Sequence, residues 1–171
     1  MSEVFHAGDL HFGHKNIAKF RPMVGDIPVH SEEEHREAVI QLWNSVVTKR
    51  DVVWVHGDVL FDVGLLHHLG RLKGNKNLIL GNHDIKLNDW VYFDKVVGLE
   101  KYKGAWLSHA PIHPAELRGK INIHGHVHYA NVLDESGQLD SRYFNVSLEN
   151  TGGCPIALNV IREILGVNRN V

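Results

Sequence analysis

Three short apolar runs in this chain end in the same way. Val4 to Ala7 stops at Gly8-Asp9, Val52 to Val55 at Gly57-Asp58, and Leu78 to Leu80 at Gly81-Asn82-His83-Asp84. A short apolar run bounded by turn residues reads as a buried strand, and glycine punctuates the loop that follows. In α/β sheets, ligands gather at the carboxyl ends of strands, where a rigid sheet holds the loops. Three strand ends that each present glycine and then a carboxylate, amide or imidazole therefore point to one shared site.

Helix-like patterns lie between these runs, so the fold class is α/β. Ser31 and Glu34 form a capping box, with Ala38, Val39, Leu42, Trp43, Val46 and Val47 at helical spacing behind it, which predicts a helix over 32–49. A second helix is expected over 63–72, with Leu65, Leu66, Leu69 and Leu72 facing the core and Gly74 beyond its end. The second half reads as short strands. Glu100 to Tyr102 and Ala105 to Leu107 flank a Lys103-Gly104 turn, and Ile121 to Ile123 and Tyr143 to Ser147 follow, an arrangement expected to be mostly antiparallel. Asp134 to Gly137 marks a hairpin loop, and Pro155 to Leu165 a last strand and helix.

Composition narrows the function classes. With 171 residues, 43% apolar and 22% charged, the chain is expected to form a single domain, 1–171, that needs no covalent or metal staple to fold. Cys154 is the sole cysteine, which excludes an intramolecular disulfide and every multi-cysteine zinc framework and fits a reducing cytoplasm. Lys plus Arg is 18 against 20 Asp plus Glu, so a nucleic-acid partner stays open without a strong basic signal. No leader pattern or membrane-length apolar run is present, so the expectation is a soluble, unexported protein with no membrane partner. Oligomeric state is not read from the sequence. The unusual number is 14 histidines, several of them beside Asp, Asn and Gly.

In chain order the polar strand ends are Asp9-x-His11, Gly57-Asp58, Gly81-Asn82-His83-Asp84, Ser108-His109 and Gly125-His126-x-His128. Each alone could be an ordinary turn or cap. Five together, each at a strand end, resemble the five-block pattern of the calcineurin-like metallophosphoesterases over about two-thirds of the chain. The opening Asp9 to Ile17 and the Ile123-His-Gly-His stretch are similar to small stand-alone phosphoesterases of bacteria and their phages. The resemblance implies a two-sheet α/β/β/α sandwich of mixed strands with a dinuclear metal site at the strand ends.

Carried over by motif, Asp9, His11, Asp58 and His128 would hold one metal and Asp58, Asn82, His109 and His126 the other, with Asp58 bridging. One carboxylate can bind two cations at once, which lets them sit about 3.5–4 Å apart as a clamp on one phosphate. His126 and His128, two apart, would point to one face of a regular strand. Two dications and two ligand carboxylates leave a formal charge of about +2, which draws in an anionic phosphate despite the negative total. A nitrogen and oxygen donor set without thiolate suits transition metals, with Mn(II) favoured and Fe, Zn, Co or Ni open. The implied reaction is in-line attack on phosphorus by a metal-bridging hydroxide, with His83 protonating the leaving oxygen and Asp84 orienting His83.

His14 is a candidate phosphate contact or else a helix-start residue, and His113 a candidate pocket residue or else a loop residue. His56 and His124 are expected behind the site or in the core, and His6, His30, His35, His67 and His68 at the surface or in packing. Arg21 and Lys15 could screen phosphate, with a solvated basic residue as the default reading. The four tryptophans read as core. The substrate class is a small phosphate ester, a phosphodiester or nucleotide ahead of a phosphomonoester, with 85–98 and 111–120 as segments left to wall the pocket. The alternatives are a non-catalytic metal-binding scaffold, against which every expected position is filled, and a β-lactamase-like hydrolase, whose His-x-His-x-Asp-His run is absent.

Overall fold

The computed structural model describes residues 2–84 and 90–167. In chain order it contains β1 (Val4–Ala7), α1 (Ile17–Phe20), β2 (Met23–Val24), β3 (Ile27–Pro28), α2 (Glu32–Val46), β4 (Val52–Val55), a 3-10 helix (Val63–Arg71) and β5 (Asn75–Ile79). There follow β6 (Lys95–Val97), β7 (Leu99–Tyr102), β8 (Ala105–Ser108), β9 (Ile121–His124), β10 (Tyr143–Asn145), β11 (Ile156–Ala157) and α3 (Leu158–Ile164). One sheet has the order β11-β1-β4-β5-β6, parallel except for β11, and a second the order β10-β9-β8-β7.

Alternation along the strands divides the core. Phe5, Ala7, Val53 and Val55 face Ala38, Val39, Ile40 and Trp43 of α2, while Trp54 turns to the opposite side and joins Ile79, Leu107 and Ile123 between the sheets. Leu158 and Ile161 of α3 help to close that inter-sheet core. Trp43 is fully buried and its indole N–H donates to the Lys73 carbonyl at 2.9 Å, so Trp43→Ala is expected to cost about 3–5 kcal/mol.

The cap of α2 forms as its sequence implies: the Ser31 hydroxyl accepts from the Glu34 amide at 3.1 Å, while the Glu34 carboxylate takes the His30 amide instead of that of Ser31. The helix ends at Val46, short of 49, because the Asp51 carboxylate accepts from the amide and hydroxyl of Thr48 and offers the chain a local alternative to further helix. The helix expected over 63–72 is a 3-10 helix instead. Gly64 and Gly70 lower its α propensity, and a side chain at Gly70 would meet the Tyr92 ring.

The largest correction is in the second sheet. Only β7 and β8 pair antiparallel, about the Lys103-Gly104 turn; β8 with β9 and β9 with β10 are parallel. Parallel neighbours need long crossovers, and segments 109–120 and 125–142 supply them. The consequence is functional: the carboxyl ends of β8, β9 and β10 lie at one edge, as do those of β1, β4 and β5. An antiparallel arrangement would have sent alternate blocks to opposite ends. No helix among the described residues is long and apolar enough to cross a membrane.

Candidate metal centre

Past the strand ends, the loops of the first sheet are stitched together by backbone bonds. Asp9 donates to the Gly57 carbonyl at 3.0 Å, His11 to that of Asp58 at 3.0 Å, and Phe12 to that of Val59 at 3.1 Å. These loops are tightly bent. Asp9, His11, Asp58, His126 and His128 all have positive φ, between 51° and 72°. That region costs L-residues of order 1–3 kcal/mol each and persists where the surroundings enforce it. A Cβ on Gly125 would stand 2.5 Å from Asp9 Oδ2, and one on Gly81 would overlap Asp58 Oδ1. Glycine at positions 81 and 125 is therefore a demand of close approach.

Two groups of ligand-type atoms result: Asp9, His11 and His128, and Asp58, His109 and His126. In the first, Asp9 Oδ2 accepts from the His126 amide at 3.0 Å and the Ser147 hydroxyl at 2.7 Å. Asp9 Oδ1 and His11 Nε2 are buried and have no hydrogen-bond partner, 3.8 Å apart. Burial pushes the Asp9 carboxyl up, but His11 and Ser147 outweigh it and hold its pKa at about 2. Burial also lowers that of His11. A carboxylate oxygen and an imidazole nitrogen, both buried and without a hydrogen-bond partner, suit a cation.

In the second group, His109 Nδ1 lies 2.8 Å from the His56 carbonyl, which can only accept, so this nitrogen carries the ring proton. The other nitrogen, Nε2, is turned toward the ligand-type atoms. It faces Asn82 Oδ1 at 2.9 Å, His126 Nδ1 at 3.0 Å and Asp58 Oδ2 at 3.5 Å. Oxygen and nitrogen ligand atoms gathered this closely suit a cation. The same Asp58 Oδ2 lies 4.0 Å from His11 Nε2, so one carboxylate oxygen stands between the two groups.

A family model described as calcineurin-like phosphoesterase matches residues 3–158. The chain belongs to the calcineurin-like phosphoesterase family. Its members perform metal-dependent hydrolysis of phosphate esters, and the two Asp and His clusters fit such metals. The chain is 33% identical over 191 aligned residues to the Gene 66 protein of Mycobacterium phage L5, with 89% of each covered. It is 32% identical over 173 to an uncharacterized protein of Methanocaldococcus jannaschii, covering 96% of this chain and 92% of that one. The crystal structure of a protein of unknown function from Aquifex aeolicus shares the fold, with a TM-score of 0.69 at 22% identity over 96% of this chain and 100% of the other.

All seven expected ligands thus lie in or against the two clusters, but several neighbouring expectations change. His126 and His128 are on a bend past β9, not on a strand, and point into different groups. Asp84 does not orient His83. Its buried carboxylate accepts from the backbone amides of Asp58, Val59 and Gly81 at 2.8–2.9 Å, so it fixes the loops that carry Asp58 and Asn82. Burial raises its pKa in spite of these bonds. His83 is exposed, its amide donates to Asp58 Oδ1 at 3.0 Å, and its ring packs 4.5 Å from that of Phe61.

His14 lies beside His11 and Phe61, with ring centroids 5.9 and 4.9 Å away. His113 joins neither cluster: its exposed ring accepts from the Ala115 amide and caps the turn at Pro114–Glu116. Of the segment 85–98, residues 85–89 lie outside the described residues and 95–97 form β6 at a sheet edge. The cavity against the first cluster is walled instead by residues of segments 11–20 and 128–149.

Sequence reasoning missed a buried charge network behind the first cluster. Arg21, read as solvated, is 2% exposed. Its guanidinium donates to Glu149 Oε1 at 2.6 Å and to the Asp9 carbonyl at 3.1 Å, and it lies 3.0 Å from His35 Nε2. Glu149 Oε1 also accepts from His128 Nδ1 at 3.0 Å, which leaves Nε2 of that ring for the cluster. Burial works against the Glu149 charge, but His128 and Arg21 prevail and hold its pKa at about 2; the same bond raises that of His128. No local motif marks Glu149, since it becomes legible only once β10 lies beside β9. His56 and His124 are buried behind the site as expected, His56 bridging the sheets from His6 to the Ser108 carbonyl.

Proposed function

We propose that this chain hydrolyses a small phosphodiester or nucleotide using two divalent transition-metal ions, Mn(II) favoured. Asp9, His11, Asp58 and His128 would hold one ion and Asp58, Asn82, His109 and His126 the other. The observation that carries this reading is the convergence of ligand-type atoms on both sides of Asp58 Oδ2, with the unpaired Asp9 Oδ1 and His11 Nε2 on one side and His109 and His126 on the other. When bound, the ions supply Lewis acidity and a water of lowered pKa.

The remaining work falls to the chain. His83 sits next to Asn82, its backbone held by Asp58 and its ring steadied by Phe61, where a ring N–H can pass to the leaving oxygen as the P–O bond breaks. Assistance of this kind is typically worth about 10²–10⁴-fold. His14 serves a phosphate oxygen from beside His11. The free, half-buried Cys154 fits a reducing cytoplasm as the place of work.

The test is a panel of diesters, monoesters and cyclic nucleotides, assayed with protein stripped by a chelator and reloaded with Mn, Fe, Zn, Co or Ni. Turnover is expected only after reloading, and faster on diesters and nucleotides than on simple monoesters. A protein inert on every ester with every metal would leave the scaffold reading, and preference for monoesters would reverse the substrate assignment.

A further inference from the structure

A cavity of about 400 Å³ lies against the first cluster, and His11 and His128 form part of its wall. That volume is in the range of small-molecule sites, about 300–1,000 Å³. The rest of the wall includes Ile17 and two aromatic residues, Phe20 and Tyr129. Phe20 is 65% exposed and Tyr129 64%. Neither ring belongs to either core cluster, and although Phe20 meets the His14 ring at 5.9 Å between centroids, both aromatic residues stay largely exposed.

Their attachments, by contrast, are fixed. Phe20 ends α1 between the buried Ile17 and the buried Arg21, and Tyr129 follows His128, which is tied to Glu149. Two aromatic faces are thus held out on rigid supports at the edge of a metal centre. Among the described residues no lysine or arginine lines this cavity, and its one carboxylate, Glu149, already answers to His128 and Arg21. The remaining polar wall is imidazole, His11 and His128 of the first cluster and His14 beside them, which serve the one phosphate of the ester.

Resting on the phosphoesterase reading, we propose that this cavity is a nucleobase subsite: Phe20 and Tyr129 stack on the base of a nucleoside phosphate ester whose single phosphate lies on the two clusters. A nucleobase is planar and uncharged and presents a π-face to each ring, which the apolar wall receives without any specific hydrogen bond. The rings would act on binding and leave the bond-breaking step to the clusters and His83.

The experiment compares adenosine 2′,3′-cyclic phosphate with ethylene cyclic phosphate, which keeps the cyclic diester and lacks the base. The ratio of kcat/KM for the two esters is expected to fall at least about fivefold in Phe20→Ala and in Tyr129→Ala, through KM, and to be retained in Tyr129→Phe. An unchanged ratio would overturn the subsite, and loss in Tyr129→Phe equal to that in Tyr129→Ala would assign the effect to the hydroxyl instead of the ring. Calorimetric titration of the Mn(II)-loaded protein with AMP and with ribose 5-phosphate separates this inference from the catalytic one. Tighter binding of AMP, abolished in the Phe20→Ala/Tyr129→Ala double variant, supports the subsite even if both cyclic esters are inert. Equal affinities in the wild type would refute it whatever the turnover.

Discussion

The two ligand clusters meet at Asp58, which belongs to the second and lies 4.0 Å from His11 of the first, but they are supported differently. Around His128 the support is made of side chains: Glu149 fixes the ring, Arg21 fixes Glu149 and the Asp9 carbonyl, and His35 lies against Arg21, all of them buried. Around His109 the support is backbone, with the His56 carbonyl setting the tautomer and Asp84 gathering three amides of the loops that present Asp58 and Asn82. One side depends on a chain of charges that a single substitution can break. The other depends on the course of the main chain.

Asp58 lies between the two clusters and would hold both ions, so its loss should show the largest effect. Asp58→Asn is expected to abolish turnover and lower the content of both metals, as measured by elemental analysis of the purified protein. Retention of two metals per chain with near-normal turnover would remove Asp58 from between the clusters.

His83 lies on the backbone-supported side but outside the ligand set. His83→Ala should keep both metals and slow turnover by about 10²–10⁴-fold on alkyl or ribosyl esters, and much less on nitrophenyl esters, whose leaving group departs as a stable anion. Chemistry must limit both reactions. Equal deficits on the two esters would dismiss the general acid.

Glu149→Gln sharpens the contrast directly. Removing a carboxylate that orients a metal-binding histidine typically weakens binding by about 10–100-fold. Titration calorimetry should show this weakening at one of two sites, with the other nearly unchanged. Equal weakening of both would mean that the clusters are not separately supported.

The smallest effect is on stability against pH, read in protein stripped of metal. Burial lowers the pKa of His35 to about 3, with Arg21 adding to it, and burial likewise lowers that of His56 to about 4. One lies behind each cluster. Both favour the neutral ring, so their stabilisation is complete above the ordinary histidine value near 6.5 and is lost as the pH falls toward 4. The raised pKa of His128 works the other way, its contribution growing as the pH falls to about 6.5 and staying constant below, so it does not offset the loss between 6.5 and 4. Tm should therefore fall from pH 7 to 4, and less steeply in His35→Gln. A flat or rising Tm would contradict neutral buried rings.

The strand ends were legible because glycine and a metal-ligand type stand side by side in the sequence, and the close approaches at Gly81 and Gly125 show why they must. Sheet direction in the second half was not legible, since short apolar runs such as Ile121–His124 carry no sign of their neighbour's polarity. Arg21 and Glu149 were hidden for a different reason. They lie 128 residues apart, and each alone has the composition of a surface charge until the fold buries them together. Asp84 was misread because adjacency to His83 suggested a pair, whereas its side chain turns inward to backbone amides.

The central claim is that Asp58 lies between two cation sites. Anomalous diffraction at the manganese edge, from crystals of the Mn(II)-loaded protein, tests it most directly. Two peaks about 3.5–4 Å apart are expected with the Asp58 carboxylate between them, one flanked by Asp9, His11 and His128 and the other by Asn82, His109 and His126. A single peak, or a second peak away from Asp58, would contradict it.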